Sequence, residues 1–356
     1  MLWTADSVEY RSVPMYAAYS GSTLIWLKPS LDYFTIEVVS DGTIVMEFSG
    51  KTTEMRVNNG DFQTVGNRTY SARAGDIIQF RGTETNYGEQ YGAQHGTNRG
   101  FRGGTATFNV RGNLMSLLYP NSFEGKGFPS GGSWTFAHFF QDCTGLLNVS
   151  GLTLPSSTVP YCYDNMFRSC TSLQTTPTLS GISLTESCYS AMFYGCTSLS
   201  TAPALPVTTL ADSCYMSMFA HCTSLTTAPV LPATVMQPYC YDGMFHDCTG
   251  LVNAPALPAT SLIECCYASM FEGCTSLTTA PVLPATGIAL QAYHKMFEGC
   301  TSLNYIKALA TYIVVNSTND WVKDVSPTGT FVKDASMNDW PTGNNGIPTG
   351  WSVVNA

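Results

Sequence analysis

The side chains of this chain best suited to nucleophilic or metal chemistry are thirteen cysteines and five histidines, His95, His138, His221, His246 and His294. A cysteine nucleophile needs a base on another element and a third group that orients the base. His221 and His246 stand beside Cys222 and Cys248 at different offsets, so no one spacing pairs a histidine with a cysteine. No Cys-x-x-Cys occurs, which argues against zinc. Cys265 and Cys266 could form a strained redox pair, but Cys265 falls outside every cysteine series and reads as an accident. The phosphate-loop, Gly-x-Ser-x-Gly and His-Glu-x-x-His patterns are missing from the sequence. The sequence predicts no catalytic residues, no metal and no cofactor. Carboxylates such as Asp242 and Asp247 read as solvated.

The cysteines are organised by a repeat. Cys143, Cys170, Cys196, Cys222, Cys248, Cys274 and Cys300 recur with one step of 27 residues and then steps of 26. Cys162, Cys188, Cys214, Cys240 and Cys266 run in register, each followed by Tyr. Met-Phe recurs from 166–167 to 296–297, and the phrase CTSLTTAPVLPAT appears at 222–234 and again at 274–286. A fixed period of this size marks a solenoid. One unit holds about five large apolar side chains, at roughly 1.5–3 kcal/mol each. Ordering its backbone costs about 1–2 kcal/mol per residue, so a unit is stable only when stacked on its neighbours. The Thr-Ala-Pro-x-Leu-Pro part is too Pro-rich for a helix or a central strand, leaving a short strand at Leu225-Thr226-Thr227. Leu210, Cys214 and Met218 at i, i+4 and i+8 predict a turn or two of helix.

These features together resemble the BspA-like (Treponema-type) leucine-rich repeat. Leu231-Pro232, Leu262, Cys266-Tyr267 and Gly273-Cys274-Thr275-Ser276-Leu277 carry the likeness. This unit departs from the usual one by an inserted Met-Phe and one further residue. The resemblance spans about half of the chain and implies adhesion, partner binding or a structural role. It also places small residues such as Ala at the cysteine positions, and Ala292 stands at one of them. The cysteines are then reduced, buried and hydrophobic. Bridges are not excluded on distance, because paired coils lie about 4.8 Å apart.

Charged residues make up 12% of the chain and the net charge is −9. Within 140–310, Arg168, Lys295 and Lys307 face nine acids, which argues against nucleic acid. No apolar run of 18 residues exists, so no membrane insertion is expected. The start, MLWTADSVEY, carries Asp6 and Glu9 where a signal peptide would have a basic tip and an apolar stretch. Synthesis and folding in a cytoplasm are expected.

The predicted fold class is mainly β with short helices: a small β-sandwich, then a leucine-rich-repeat solenoid of 26-residue coils with a C-terminal cap. Residues 1–31 read as an attachment arm with one short strand at Leu24-Ile25-Trp26-Leu27. Residues 32–118 form the sandwich, 119–139 a connector and N-terminal cap, 140–310 the solenoid and 311–356 the C-terminal cap. Phe34, Ile36 and Val38, then Ile44, Met46 and Phe48, alternate with polar residues. A three-residue loop at Ser40-Asp41-Gly42 is expected to join them as a hairpin pairing Val38 with Ile44, with Gly42 left-handed. Further strands are placed near 53–58, 69–73, 76–81 and 105–111.

Ligand-binding candidates come from two places. The Gly- and Tyr-rich stretch at 83–104 offers Tyr87, Tyr91, His95, Arg99 and Phe101, as a binding loop or a connector. The strand ladder offers Thr201, Thr227, Asn253, Thr279 and Tyr305, as a plain β-face or a recognition face. The variable pairs after Cys-Tyr and after Met-Phe are expected to point outward. Trp3, Tyr10, Tyr16, Tyr19 and Trp26 are the attachment candidates. The function implied is a non-enzymatic structural or recognition protein. A virion appendage or tail-fibre component of phages infecting Bacteroides-like hosts is the first reading, and a BspA-like adhesin on a bacterial surface is the alternative. Expected partners are a host cell-surface glycan or protein, and other virion or surface-layer proteins through the N-terminal arm. A homo-oligomer is left open.

Overall fold

The computed structural model describes residues 7–10, 13–20, 23–29, 31–48, 50, 52–88, 100–179 and 183–356, with side chains from residue 31 onward. Strands β1 (Ser7–Tyr10), β2 (Val13–Ser20) and β3 (Thr23–Pro29) pair antiparallel in that order, where the sequence suggested one short strand.

Two sheets follow. The larger has the order β12-β11-β4-β9-β6-β7, formed by β4 (Phe34–Val38), β6 (Glu54–Val57), β7 (Gln63–Thr64), β9 (Ile77–Arg81), β11 (Phe108–Asn113) and β12 (Leu146–Thr153). The smaller has β5 (Gly42–Glu47) between β8 (Asn67–Ala72) and β10 (Gly100–Gly104). Phe34 and Phe80 from the larger sheet meet Phe101 from the smaller at 5.8 and 5.3 Å between ring centroids.

The expected hairpin does not form. β4 pairs with β9 and β11, while β5 pairs with β8 and β10, so residues 39–41 cross between sheets. Gly42 does adopt a positive φ, of 154°, but not in the expected hairpin loop, and space requires glycine there as well. A Cβ there would lie 2.4 Å from the Ala106 backbone nitrogen, so glycine admits the neighbouring chain. The alternation of apolar residues was real, but it reported burial between two sheets and not pairing partners.

β12 opens the repeat, and it pairs in parallel with β11. The larger sheet thus covers the first coil directly. Within each unit the expected helix is replaced by a run of tight turns. In the unit at 239–247, even-numbered amides bond back three residues: Asp242 N donates to Tyr239 O at 3.1 Å and Met244 N to Tyr241 O at 3.2 Å. Odd-numbered amides bond to the next unit: Gly243 N to Ala268 O at 2.8 Å, Phe245 N to Met270 O at 3.0 Å, Asp247 N to Glu272 O at 2.7 Å. Every fourth residue is left-handed, with φ of 54° at Tyr239, 59° at Gly243 and 55° at Asp247. An α-helix would use all its interior amides internally and leave none to join coils. The turn run has a repeat of four, which on the page looks like the i, i+4 spacing of a helix. The chain is mainly β, and a 3₁₀ turn at Leu114–Leu117 is the one helical element assigned among the described residues.

The turn runs begin at 134–142, inside the stretch read as a connector, and continue to 316–324, inside the stretch read as a cap. Towards the C-terminal end of the stack, β13 (Gly287–Ile288) pairs with β15 (Tyr312–Ile313), and β14 (Tyr305–Ala308), β16 (Thr330–Lys333) and β17 (Ser352–Asn355) form a parallel sheet.

Two aromatic ladders fill the interior. Phe140, Phe167, Phe193, Phe219, Phe245, Phe271 and Phe297 stack at centroid spacings of 5.5–5.8 Å with rings nearly parallel. Tyr163, Tyr189, Tyr215, Tyr241, Tyr267 and Tyr293 form the second, at 5.6–6.4 Å. Both continue into the two-sheet unit. Phe101 stacks on Phe140 at 5.2 Å, and Tyr87 stacks on Phe136, which stacks on Tyr163. At the other end Trp321 covers Tyr293 at 5.9 Å and Trp340 covers Trp321 at 5.5 Å.

All thirteen cysteines are free and buried. The two series differ in their bonding. Cys170, Cys196, Cys222, Cys248, Cys274 and Cys300 each donate their thiol to a phenylalanine carbonyl of the preceding coil, at 2.9–3.1 Å. In the other series Cys162 and Cys240 lie 3.9 and 4.0 Å from their nearest carbonyl. Ala292 replaces cysteine in this second series, where the weaker contact makes the sulfur easier to lose. Phe245 is fully buried between two ladder neighbours. Phe245→Ala is expected to lower stability by about 3–5 kcal/mol in chemical denaturation, since a stacked ladder cannot collapse into the gap.

Candidate functional site

The left-handed residues fall in three rows that run along the stack, one member of each row per coil. The first row is Trp134, Tyr161, Ser187, Ser213, Tyr239, Cys265, Gln291 and Asn316. The second is His138, Asn165, Ala191, Ser217, Gly243, Ser269, Lys295 and Asp320. The third is Asp142, Ser169, Gly195, His221, Asp247, Gly273, Gly299 and Asp324. A left-handed non-glycine residue costs roughly 1–2 kcal/mol, and a bulky one stands out most. Trp134 and Tyr161 are the bulkiest residues in such positions at the start of the rows, and they sit side by side.

They border a cavity of about 410 Å³ with Asp164, Asn165, Arg168, Ser187, Ser190 and Tyr194. The Trp134 and Tyr161 rings lie parallel at 3.9 Å. The Arg168 guanidinium lies 4.0 Å over the Tyr194 ring. A polar network crosses the floor. Asn165 Nδ2 donates to Asp164 Oδ2 at 2.8 Å, Arg168 Nη1 donates to Asn165 Oδ1 at 3.1 Å, and His138 Nε2 lies 3.7 Å from Asp164 Oδ2. Burial pushes the Asp164 carboxyl above its ordinary value, against the Asn165 hydrogen bond and the charges of His138 and Arg168. Tyr161 is fixed by its hydroxyl, which donates to Glu186. Aromatic walls with a fixed amide, carboxyl, guanidinium and hydroxyl floor suit a polar ligand with a flat apolar face.

The variable pairs were expected to face outward, and the structure corrects this. Asp164, Asn165, Ser190, Ala191 and Ala268 are buried, and Met216, Ser217 and Asp242 are half-buried. Asp242, read as solvated, has its carboxyl pushed up to about 7 by burial, with the Glu272 charge adding to it. Farther along the same face, Tyr194 lies 4.7 Å from His221, and His221 lies 5.3 Å from His246. A charge ladder continues from there: Lys295 contacts Glu272 at 3.8 Å and Glu298 at 2.9 Å, and Lys323 contacts Glu298 at 2.6 Å.

Tyr87 and Phe101, proposed from sequence as ligand contacts, are core residues. Tyr87 is 1% exposed, with its hydroxyl 2.8 Å from Thr53 Oγ1 and 3.1 Å from Leu117 O; Phe101 is fully buried. Their aromatic character serves to join the ladders to the two sheets. Tyr91, His95 and Arg99 lie outside the described residues, as does Trp3. Tyr10 is in β1, Tyr16 and Tyr19 in β2 and Trp26 in β3. Thr201, Thr227, Asn253 and Thr279 are exposed and Tyr305 is half-buried. Thr227 bridges to Asn253 and Thr279 to Tyr305, so they share a strand edge separate from the cavity.

Sequence reading missed Asp164, Asn165, Arg168 and Tyr194 as a group. Their slots vary in every unit, as the Arg168 position shows with Tyr194, Ala220, His246, Glu272 and Glu298, so no single unit marked them as a group. The ladder cysteines are poor nucleophiles, because burial pushes the thiols of Cys240, Cys266 and Cys300 up to about 12.

A family profile described as BspA type leucine rich repeat region matches the chain in six copies, over residues 137–252 and 212–318. No curated protein and no solved structure matches. No helix among the described residues is long and apolar enough to cross a membrane.

The raised Asp242 value has a testable consequence. It lies above the ordinary 3.8, so the folded chain holds this proton more tightly than the unfolded chain. Stability from this group is therefore lost as pH rises from about 4 through about 7. Asp242→Asn is expected to raise stability at pH 8 by roughly 1–3 kcal/mol, with the gain fading towards pH 4 in paired thermal melts.

Proposed function

We propose that this chain, which belongs to the BspA-type leucine-rich repeat family, is a non-enzymatic recognition protein that binds a host-surface glycan in the cavity between Trp134 and Tyr194. Repeats of this type suggest an interaction or adhesion role. The observation that carries the finer reading is the cavity itself, with aromatic rings held at strained corners over a hydrogen-bonded polar floor. Bulky rings kept at left-handed positions, where glycine would relieve the strain, point to use of those side chains. Rings with fixed hydrogen-bonding partners match the alternating apolar faces and hydroxyl edges of a sugar.

The setting we propose is a virion appendage or tail-fibre component, made in the host cytoplasm and exposed outside it. Thirteen free buried thiols, six of them bonded across coils, support folding in a reducing compartment. On this reading the two sheets and the stacked coils form a sandwich-capped solenoid, and residues 1–31 join it to other virion proteins. The family also includes cell-surface proteins, so a bacterial adhesin is the competing outcome.

A glycan array and a host-cell binding assay test the cavity. Trp134→Ala and Asp164→Asn are each expected to weaken binding at least tenfold, about 1.4 kcal/mol, with circular dichroism unchanged. Unchanged binding in both variants removes the cavity as the site. Protein lacking residues 1–31 is expected to bind its target and fail to assemble into virions. Recovery of the chain from cell envelopes, with no virion association, would favour the adhesin.

A further inference from the structure

We propose that His221, His246 and Asp247 form a binding site for one divalent transition-metal ion of the zinc class, clamped across two coils. One ring nitrogen each of His221 and His246 and a carboxylate oxygen of Asp247 all lie within 4.8 Å of one another. Asp247 Oδ2 is 3.5 Å from His221 Nδ1 and 3.4 Å from His246 Nε2. Both distances are too long for good hydrogen bonds, which centre near about 2.9 Å. They match the edge of a coordination polyhedron: bonds of about 2.0–2.1 Å at tetrahedral angles separate donor atoms by roughly 3.3 Å.

The backbone holds the donors in place. His221 N donates to His246 O at 2.7 Å, and Asp247 N donates to Glu272 O at 2.7 Å. His221 and Asp247 occupy the third left-handed row, at φ of 61° and 55°, in successive coils. Gly195 precedes them in that row, and Gly273 and Gly299 follow. A Cβ at Gly273 would lie 2.0 Å from Asp247 Oδ1, so glycine there leaves room for the carboxylate.

The donor set selects the ion. Two imidazoles and one carboxylate suit zinc, nickel or copper and do not suit calcium or magnesium, which take oxygen. Glu272 Oε1 lies 3.9 Å from His246 Nε2, the ligating nitrogen, and can complete the shell. Lys295, 3.8 Å from Glu272, opposes the ion, as does Arg168, which acts on His221. The side chains of all three ligands are 35–40% exposed, so the bound ion keeps water and can accept a donor atom from a partner. The site does not depend on the glycan reading.

Full-length protein, stripped with chelator and kept in a non-chelating reductant, would be titrated with zinc chloride by calorimetry at pH 7.5. One ion per chain is expected, with no binding of calcium. Asp247→Asn and His246→Ala are each expected to weaken binding at least tenfold, whereas Trp134→Ala binds zinc like the wild type. No heat, or equal binding by both ligand variants, overturns the proposal. Should a variant unfold, the wild-type cobalt(II) spectrum decides. Visible bands without a thiolate charge-transfer band support nitrogen and oxygen ligation. A thiolate band places the ion on the cysteines and overturns the site.

Discussion

Everything in the repeat depends on how backbone amides are shared between a coil and its neighbour. In each turn run one set of amides closes turns within the unit, and the alternate set reaches the next unit, as Gly243 to Ala268 and Phe245 to Met270 show. A buried amide without a partner costs more than a made bond contributes. A lone unit would therefore leave half its turn amides unpaired as well as its apolar face uncovered. Stacking removes both penalties at once, and it fixes the register of every side chain on the run.

That register turns one sequence phrase into continuous structures. Tyr and Phe four residues apart, repeated at the coil period, become two parallel ring ladders. Ladders need ends. Phe101 and Tyr87 supply one end from the two-sheet unit, and Trp321 with Trp340 supplies the other. The parallel pairing of β11 with β12 satisfies the backbone at the same junction. The first-series thiols add a bond from coil to coil at the carbonyl of the preceding ladder Phe, which gives sulfur a role that Ala could not fill.

The same register creates the surface. Each coil places one residue in each of three left-handed rows, where glycine is the least strained choice. The side chains carried there differ from coil to coil along the whole stack. Trp134, Tyr161 and Asn165 border one cavity, and His221 with Asp247 joins His246 in one close-set donor cluster. A repeat with uniform corners would present one uniform face; here the corner side chains change from coil to coil.

Much of this was legible in the chain. The period, the identity of the core residues Cys, Tyr, Met, Phe and Leu, the repeat family and the positions of several strands follow from spacing and alternation, because burial imposes a period wherever an element repeats. Other features were decided only in three dimensions. Leu210, Cys214 and Met218 fit a helix and a four-residue turn run equally well, and only the bonds to the neighbouring coil distinguish them. Val38 and Ile44 alternate as hairpin partners do, yet packing sends their strands to opposite sheets. Tyr87 and Phe101 look like loop residues in a Gly-rich stretch and become ladder ends through contacts about fifty and forty residues away in sequence. His221 and His246 stand 25 residues apart and share a carboxylate because one coil advances the chain by a single hydrogen-bonded layer. Sequence determines what each unit must bury; which groups from different units meet is set by the stacking register, and no single unit contains it.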